Sequence, residues 1–137
     1  EPFPLLREGS KLLHRHISAC VAGLVGGDPQ MHLLEAGGGL RAPGNSVLLS
    51  CRGSGFTFRT HDLWWYRQTP NGRLEWVSYI SSLGTTKEYG AAVQGRATVS
   101  RDNSRSESSL SLRALGPRDS ARYFCAVRTG TGNPAEL

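Results

Sequence analysis

The chain has 137 residues, 38% of them hydrophobic and 20% charged, which suits one globular domain with a single buried core. Its formal charge is +5, yet the 16 basic residues are scattered and never form a block, so a nucleic-acid-binding tract finds no support. The apolar run 17–27 is too short to span a bilayer.

Lys11, His14, Arg15 and His16 precede that apolar run, and Gly26 and Gly27 follow it, an order similar to that of a secretory leader. Against this, Glu1 and Glu8 place acid where a leader carries base. Three readings of residues 1–29 stay open: a leader remnant, an irregular, disordered extension, and a mis-assigned coding sequence. Cys20, the odd one of 3 cysteines, falls in this segment and would depart with a leader.

From residue 30 onward, short stretches of alternating apolarity are separated by turn residues, and no long segment carries a helical period. The pattern predicts an all-β chain of about seven to nine short strands. Gly37-Gly38-Gly39 predicts a break in the first edge strand, and Pro43-Gly44-Asn45 a turn. In residues 46–52, Val47, Leu49 and Cys51 share one face while Ser46, Ser50 and Arg52 share the other, as a half-buried strand requires. Leu48 interrupts the polar face.

Residues 63–68 repeat the device with Leu63 and Trp65 on one parity, and Pro70-Asn71-Gly72 turns the chain into residues 74–80. Ala97 and Val99 mark a further strand, Leu110 and Leu112 another, and Ala121, Tyr123 and Cys125 the last, after a turn over residues 115–119. Trp65 and Cys125 lie 14 and 74 residues beyond Cys51, separations that suit a two-sheet sandwich stapled between non-local strands.

The blocks Leu49-Ser50-Cys51, Gly55-Phe56-Thr57-Phe58, Trp65-Tyr66-Arg67-Gln68-Thr69-Pro70, Leu74-Glu75-Trp76-Val77, Gly95-Arg96-Ala97-Thr98-Val99-Ser100-Arg101-Asp102-Asn103-Ser104 and Asp119-Ser120-Ala121-Arg122-Tyr123-Phe124-Cys125 are collinear. Together with Leu34-Glu35-Ala36-Gly37-Gly38-Gly39-Leu40, they resemble an immunoglobulin variable domain of heavy-chain type over residues 31–127. The resemblance implies a V-type two-sheet Greek-key sandwich over residues 30–127, with residues 128–137 as a third-loop remnant or irregular tail. It also implies a Cys51–Cys125 disulfide worth about 2 to 4 kcal/mol, with Trp65 packed on the bridge. Tyr123 matches the tyrosine corner, and Arg96 with Asp119 a family ion pair closing the lower end of the sandwich, worth about 0 to 1 kcal/mol if surface-like and more if bidentate and sheltered.

Function in such a domain resides on loops at one end of the sandwich. The resemblance assigns Phe56, Thr57, Phe58, Arg59, Thr60, His61 and Asp62 to the first antigen-binding loop. It assigns Tyr79, Ser81, Ser82, Leu83, Gly84, Thr85, Thr86 and Lys87 to the second, and Arg128 and Thr129 to the third. Tyr66, Gln68, Leu74, Trp76 and Phe124 match the face that pairs with a light chain, although Tyr66 and Arg73 stand where small or neutral residues are usual. The implied activity is antigen recognition by a secreted or cell-surface extracellular complex in adaptive immunity, with no cofactor, metal, nucleic acid or membrane span.

Three features depart from the family pattern. The segment after Cys125 holds no Trp-Gly-x-Gly or Phe-Gly-x-Gly, so the final strand, which a joining segment supplies, is expected to be missing. Ser108 shares the parity of Leu110 and Leu112, where an apolar residue is usual, and an unpartnered hydroxyl there would cost about 1 to 3 kcal/mol. Trp64 puts a large ring beside Trp65, under the third loop. These departures keep other readings open: a T-cell-receptor-like or other receptor chain, an adhesive module with fixed partners, and a non-productive or unjoined gene segment.

Enzymatic constellations are not legible. G-x-S-x-G, H-E-x-x-H and C-x-x-C are all absent, His14, His16 and Cys20 lie in a segment with no frame to hold them as metal ligands, and Gly130-Thr131-Gly132 precedes no helix. Asn45, Asn71, Asn103 and Asn133 all fail the N-glycosylation pattern.

Overall fold

A computed structural model describes residues 32–127; the readings placed on residues 1–29, including Cys20, and on residues 128–137, including Arg128 and Thr129, lie outside the described residues. Within them, eight strands run β1 (His32–Gly37), β2 (Val47–Ser54), β3 (Leu63–Gln68), β4 (Leu74–Ile80), β5 (Lys87–Tyr89), β6 (Ala97–Asp102), β7 (Glu107–Leu112) and β8 (Arg122–Val127). They form two antiparallel sheets, ordered β1-β2-β7-β6 and β5-β4-β3-β8. β2 pairs with β7 and β3 with β8, so the centre of each sheet joins strands distant in sequence, as a Greek-key sandwich requires.

The two inner faces interdigitate because inward positions alternate with period two. β2 buries Val47, Leu49 and Cys51; β3 buries Leu63 and Trp65; β6 buries Ala97 and Val99; β7 buries Leu110 and Leu112. Cys51 and Cys125 form the disulfide between the sheets, with Cα atoms 6.4 Å apart, and the fully buried Trp65 lies opposite Cys125 in the β3–β8 register. Leu48 points out of the sandwich and is 63% exposed.

Gly37, Gly38 and Gly39 end β1 rather than interrupt it, each with φ near +100° (103°, 99° and 109°). A Cβ on Gly37 would sit 2.5 Å from the Leu48 carbonyl oxygen, so both the conformation and the approach of the backbones demand glycine there. Ser108 corrects an expectation. It is buried, but its hydroxyl donates to the Ser100 carbonyl at 2.8 Å and accepts from Trp65 Nε1 at 3.4 Å, so no desolvation penalty loosens the core.

A bulge in the β3–β4 pairing shifts the register from Trp65↔Ser78 to Tyr66↔Trp76. Val77 and Ser78 are both buried as a result, and Trp76 and Tyr79, three positions apart, share the outer face. Simple alternation could not have placed them together.

Candidate functional site

The register fixes which end carries the loops. Leu63 pairs with Val127 and Ile80 at one end of the sheet, next to the loops over residues 55–62 and 81–86, while Gln68 pairs with Arg122 and Leu74 at the other. In the first loop, Thr57, Arg59 and Thr60 are exposed, and Phe56, His61 and Asp62 are half-buried. A single 3-10 turn, Phe58–Thr60, shapes it, with Thr60 Oγ1 donating to the Thr57 carbonyl at 2.8 Å and His61 edge-on to Phe56 at 5.1 Å. Phe58 departs from its expected role: it is 2% exposed and belongs to the core, so it supports the loop rather than presenting a contact surface. In the second loop, Leu83 stands 77% exposed at the tip, Thr85, Thr86 and Lys87 are exposed, and Ser81, Ser82, Gly84 and Tyr79 are half-buried.

The two loops are tied together from below, chiefly by Arg101 and Asn103, which sequence reasoning left in the framework. Arg101, on β6, donates from Nη2 to the Phe58 carbonyl and from Nη1 to the Ser81 carbonyl, each at 2.9 Å. Its guanidinium lies 4.6 Å from the Phe58 ring centroid, and Nε donates to Asn103 Oδ1 at 2.8 Å. Asn103 donates in turn to the Ser82 carbonyl at 2.8 Å, and Asp62 accepts from the Ser82 backbone N–H at 2.8 Å. Burial lowers the pKa of Arg101 against the pull of Asp62 and Tyr79. The planar fork of arginine lets one side chain hold two loops in fixed relation.

The outer face of the β5-β4-β3-β8 sheet carries the residues assigned to pairing. Trp76 is 39% exposed and Leu74 44%, with Gln68, Tyr66 and Phe124 half-buried beside them. Tyr66 lies opposite both Trp76 and Phe124 and stacks on Phe124, ring centroids 5.8 Å apart and planes within 22°. Trp76 is anchored by a 2.9 Å bond from Nε1 to the Ser78 carbonyl. Trp64 and Tyr79, at 5.2 Å, extend the aromatic surface toward the loops. All the expected pairing residues therefore share one face.

At the opposite end, the ion pair of Arg96 and Asp119 is bidentate, Nη1 to Oδ2 and Nη2 to Oδ1 both at 2.9 Å, and Asp119 is 2% exposed. Of the two forms the sequence left open for this pair, the geometry is the bidentate, sheltered one. A third partner was missed: Arg67, 3% exposed, donates from Nη1 to Asp119 Oδ1 at 3.0 Å and to the Tyr123 hydroxyl at 2.9 Å, and from Nε to Glu75 Oε1 at 2.7 Å. The Tyr123 hydroxyl in turn donates a hydrogen bond to the Asp119 carbonyl at 2.9 Å, the tyrosine-corner bond. Burial works to lower the Arg67 pKa, but Tyr123, Glu75 and Asp119 outweigh it and raise it. For Asp119, burial pushes up while Arg96, the Gly116 N–H and Arg67 pull down further, so the carboxyl stays below its usual range. The signal for Arg67 was present, since it shares the inward parity of Leu63 and Trp65.

Glu35, Cys51 and Cys125 place three possible ligand atoms within 4.8 Å of one another. Both sulfurs are spent in the disulfide, so no thiolate is available to a metal there. Glu35 accepts from the Cys125 backbone N–H at 3.5 Å, and burial, opposed by that bond, pushes its pKa up to about 9. No helix among the described residues is long and apolar enough to cross a membrane.

What these surfaces offer is shape, aromatic area and hydrogen-bonding groups, the means of non-covalent recognition. The family model for the immunoglobulin V-set domain matches residues 40–136, a span that takes in seven of the strands, the disulfide and both loops. The chain belongs to the immunoglobulin V-set family.

Proposed function

We propose that the chain is a heavy-chain-type variable domain that recognises antigen without catalysis, through three loops on a sandwich paired with a light chain. The observation that carries the reading is the coincidence of two surfaces: loops locked together by Arg101, Asn103 and Asp62, and next to them a sheet face bearing Leu74, Trp76, Tyr66 and Phe124. A solitary domain gains nothing from leaving a leucine and a tryptophan side by side in water, whereas a partner chain would bury them. Exposed Arg59, Thr60, Leu83, Thr85 and Lys87 supply the variable contact groups, with Tyr79 as a rigid aromatic anchor. Arg128 and Thr129 belong to the third loop in this reading. The family and the disulfide fit an extracellular, oxidising location, on a B cell or in secretion.

A second reading is the variable domain of a T-cell-receptor-like chain. The Tyr66–Phe124 stack favours it, because a large ring fills the middle of the pairing face where a light chain usually meets a small side chain. Sequencing lymphocyte transcripts that contain this segment separates the readings. The heavy-chain reading expects joining to an antibody heavy constant region with varied third loops. Joining to a receptor constant region would favour the second reading, and a single unvarying third loop, or no joined transcript at all, would overturn both.

A further inference from the structure

At the end of the sandwich away from the loops, the turn between β3 and β4 and the short 3-10 turns Ala91–Val93 and Pro117–Asp119 enclose an open groove of about 610 Å³. Arg67, Arg73 and Arg118 line it, against one carboxylate, Glu75. Both oxygens of Glu75 are already engaged, Oε1 by Arg67 Nε and Oε2 by Arg73. Arg118 is exposed and makes no ion pair among the described residues.

The decisive group is Arg67. Although 97% of it is removed from solvent, it reaches the wall of this groove and of the adjoining one of about 360 Å³. Its Nε and Nη1 donate to Glu75, Asp119 and Tyr123, while Nη2 donates to no group among the described residues. A guanidinium held by three partners through Nε and Nη1 thus has Nη2 unspent, and the groove is where that nitrogen can find an acceptor. Positive charge exceeds negative by two around the larger groove, and Ser120 is on its wall.

We propose that this groove is an anion site for a phosphate or sulfate group, held between Arg67 Nη2 and Arg118. A tetrahedral dianion offers several acceptors at angles that two arginines from different elements can meet, and its charge balances the local excess. The site stands apart from the loops, and neither Arg67 nor Arg118 is among the residues assigned to the pairing face, so the proposal does not depend on which receptor class the domain serves.

The test titrates inorganic phosphate into the full chain at fixed ionic strength and follows the arginine side-chain NMR resonances. The site predicts saturable shifts of Arg67 and Arg118 that chloride does not produce. Arg118→Gln, at an exposed position outside the fold's ion pairs, should weaken phosphate about tenfold, and Arg118→Lys should restore part of the loss. Phenyl phosphate identifies the source: tighter binding than inorganic phosphate supports an esterified group resting on Pro70 and Pro117, and equal binding supports the free anion. Shifts that never saturate, or equal phosphate affinity in Arg118→Gln, would overturn the proposal.

Discussion

Replacing Glu35 by Gln should make the domain more stable at neutral and alkaline pH and remove much of its pH dependence. The wild-type carboxyl lies among buried apolar neighbours beside the disulfide, and its pKa rises from 4.5 to about 9 on folding. The folded state therefore binds this proton more tightly than the unfolded state, and the stability it lends is complete below pH 4.5 and drains away as pH rises toward 9. Each pH unit in that window removes about 1.4 kcal/mol, so the step from pH 5 to pH 8 should remove about 4 kcal/mol. Asp119 does not mask the effect, because its carboxyl is lowered on folding and is ionised in both states over that range. Gln keeps an oxygen for the Cys125 N–H and carries no proton to lose. Urea unfolding followed by tryptophan fluorescence at pH 5, 6.5 and 8, with the disulfide intact, measures the slope directly. Equal wild-type stability at pH 5 and pH 8, or the same slope in Glu35→Gln, would refute the reasoning.

Arg101→Gln should leave the sandwich folded but release the two loops, read as faster amide exchange at Phe58, Ser81 and Ser82 while the β2–β7 ladder stays protected. Asp119→Asn leaves Arg67 and Arg96 without their shared countercharge and should cost about 3 to 5 kcal/mol in chemical unfolding at pH 7. The wild-type contribution of Asp119 is present above the unfolded pKa of 3.8 and lost as pH falls through the lower folded value, so the variant gap should close in acid. Ser108→Ala removes the partner of Trp65 Nε1 and the bond to the Ser100 carbonyl, and should destabilise by about 1 to 2 kcal/mol; no loss on calorimetry would show those bonds to be idle.

The strands were largely legible because inward and outward residues alternate cleanly: Val47, Leu49 and Cys51 on β2, and Leu110 and Leu112 on β7, announce their face by period alone. Arg67 carried the same parity but was overlooked, since an arginine is expected in water unless its partners are known, and Asp119 and Tyr123 lie more than fifty residues away. Ser108 looked like a packing defect for the same reason: its acceptor, Ser100, is across the sheet rather than along the chain. The bulge that sets Trp76 and Tyr79 on one face leaves no local mark, because it arises from how β4 meets β3. Phe58 reads as a loop residue by position and becomes core because the loop folds over the end of the sandwich.

The most direct test of the account is whether the sheet face of Leu74, Trp76, Tyr66 and Phe124 takes a partner. Mixing the full chain with antibody light-chain variable domains and measuring the product by sedimentation should give a one-to-one complex, weakened at least about tenfold by Trp76→Ser. A chain that stays monomeric with every light-chain domain, or a complex indifferent to Trp76→Ser, would contradict it.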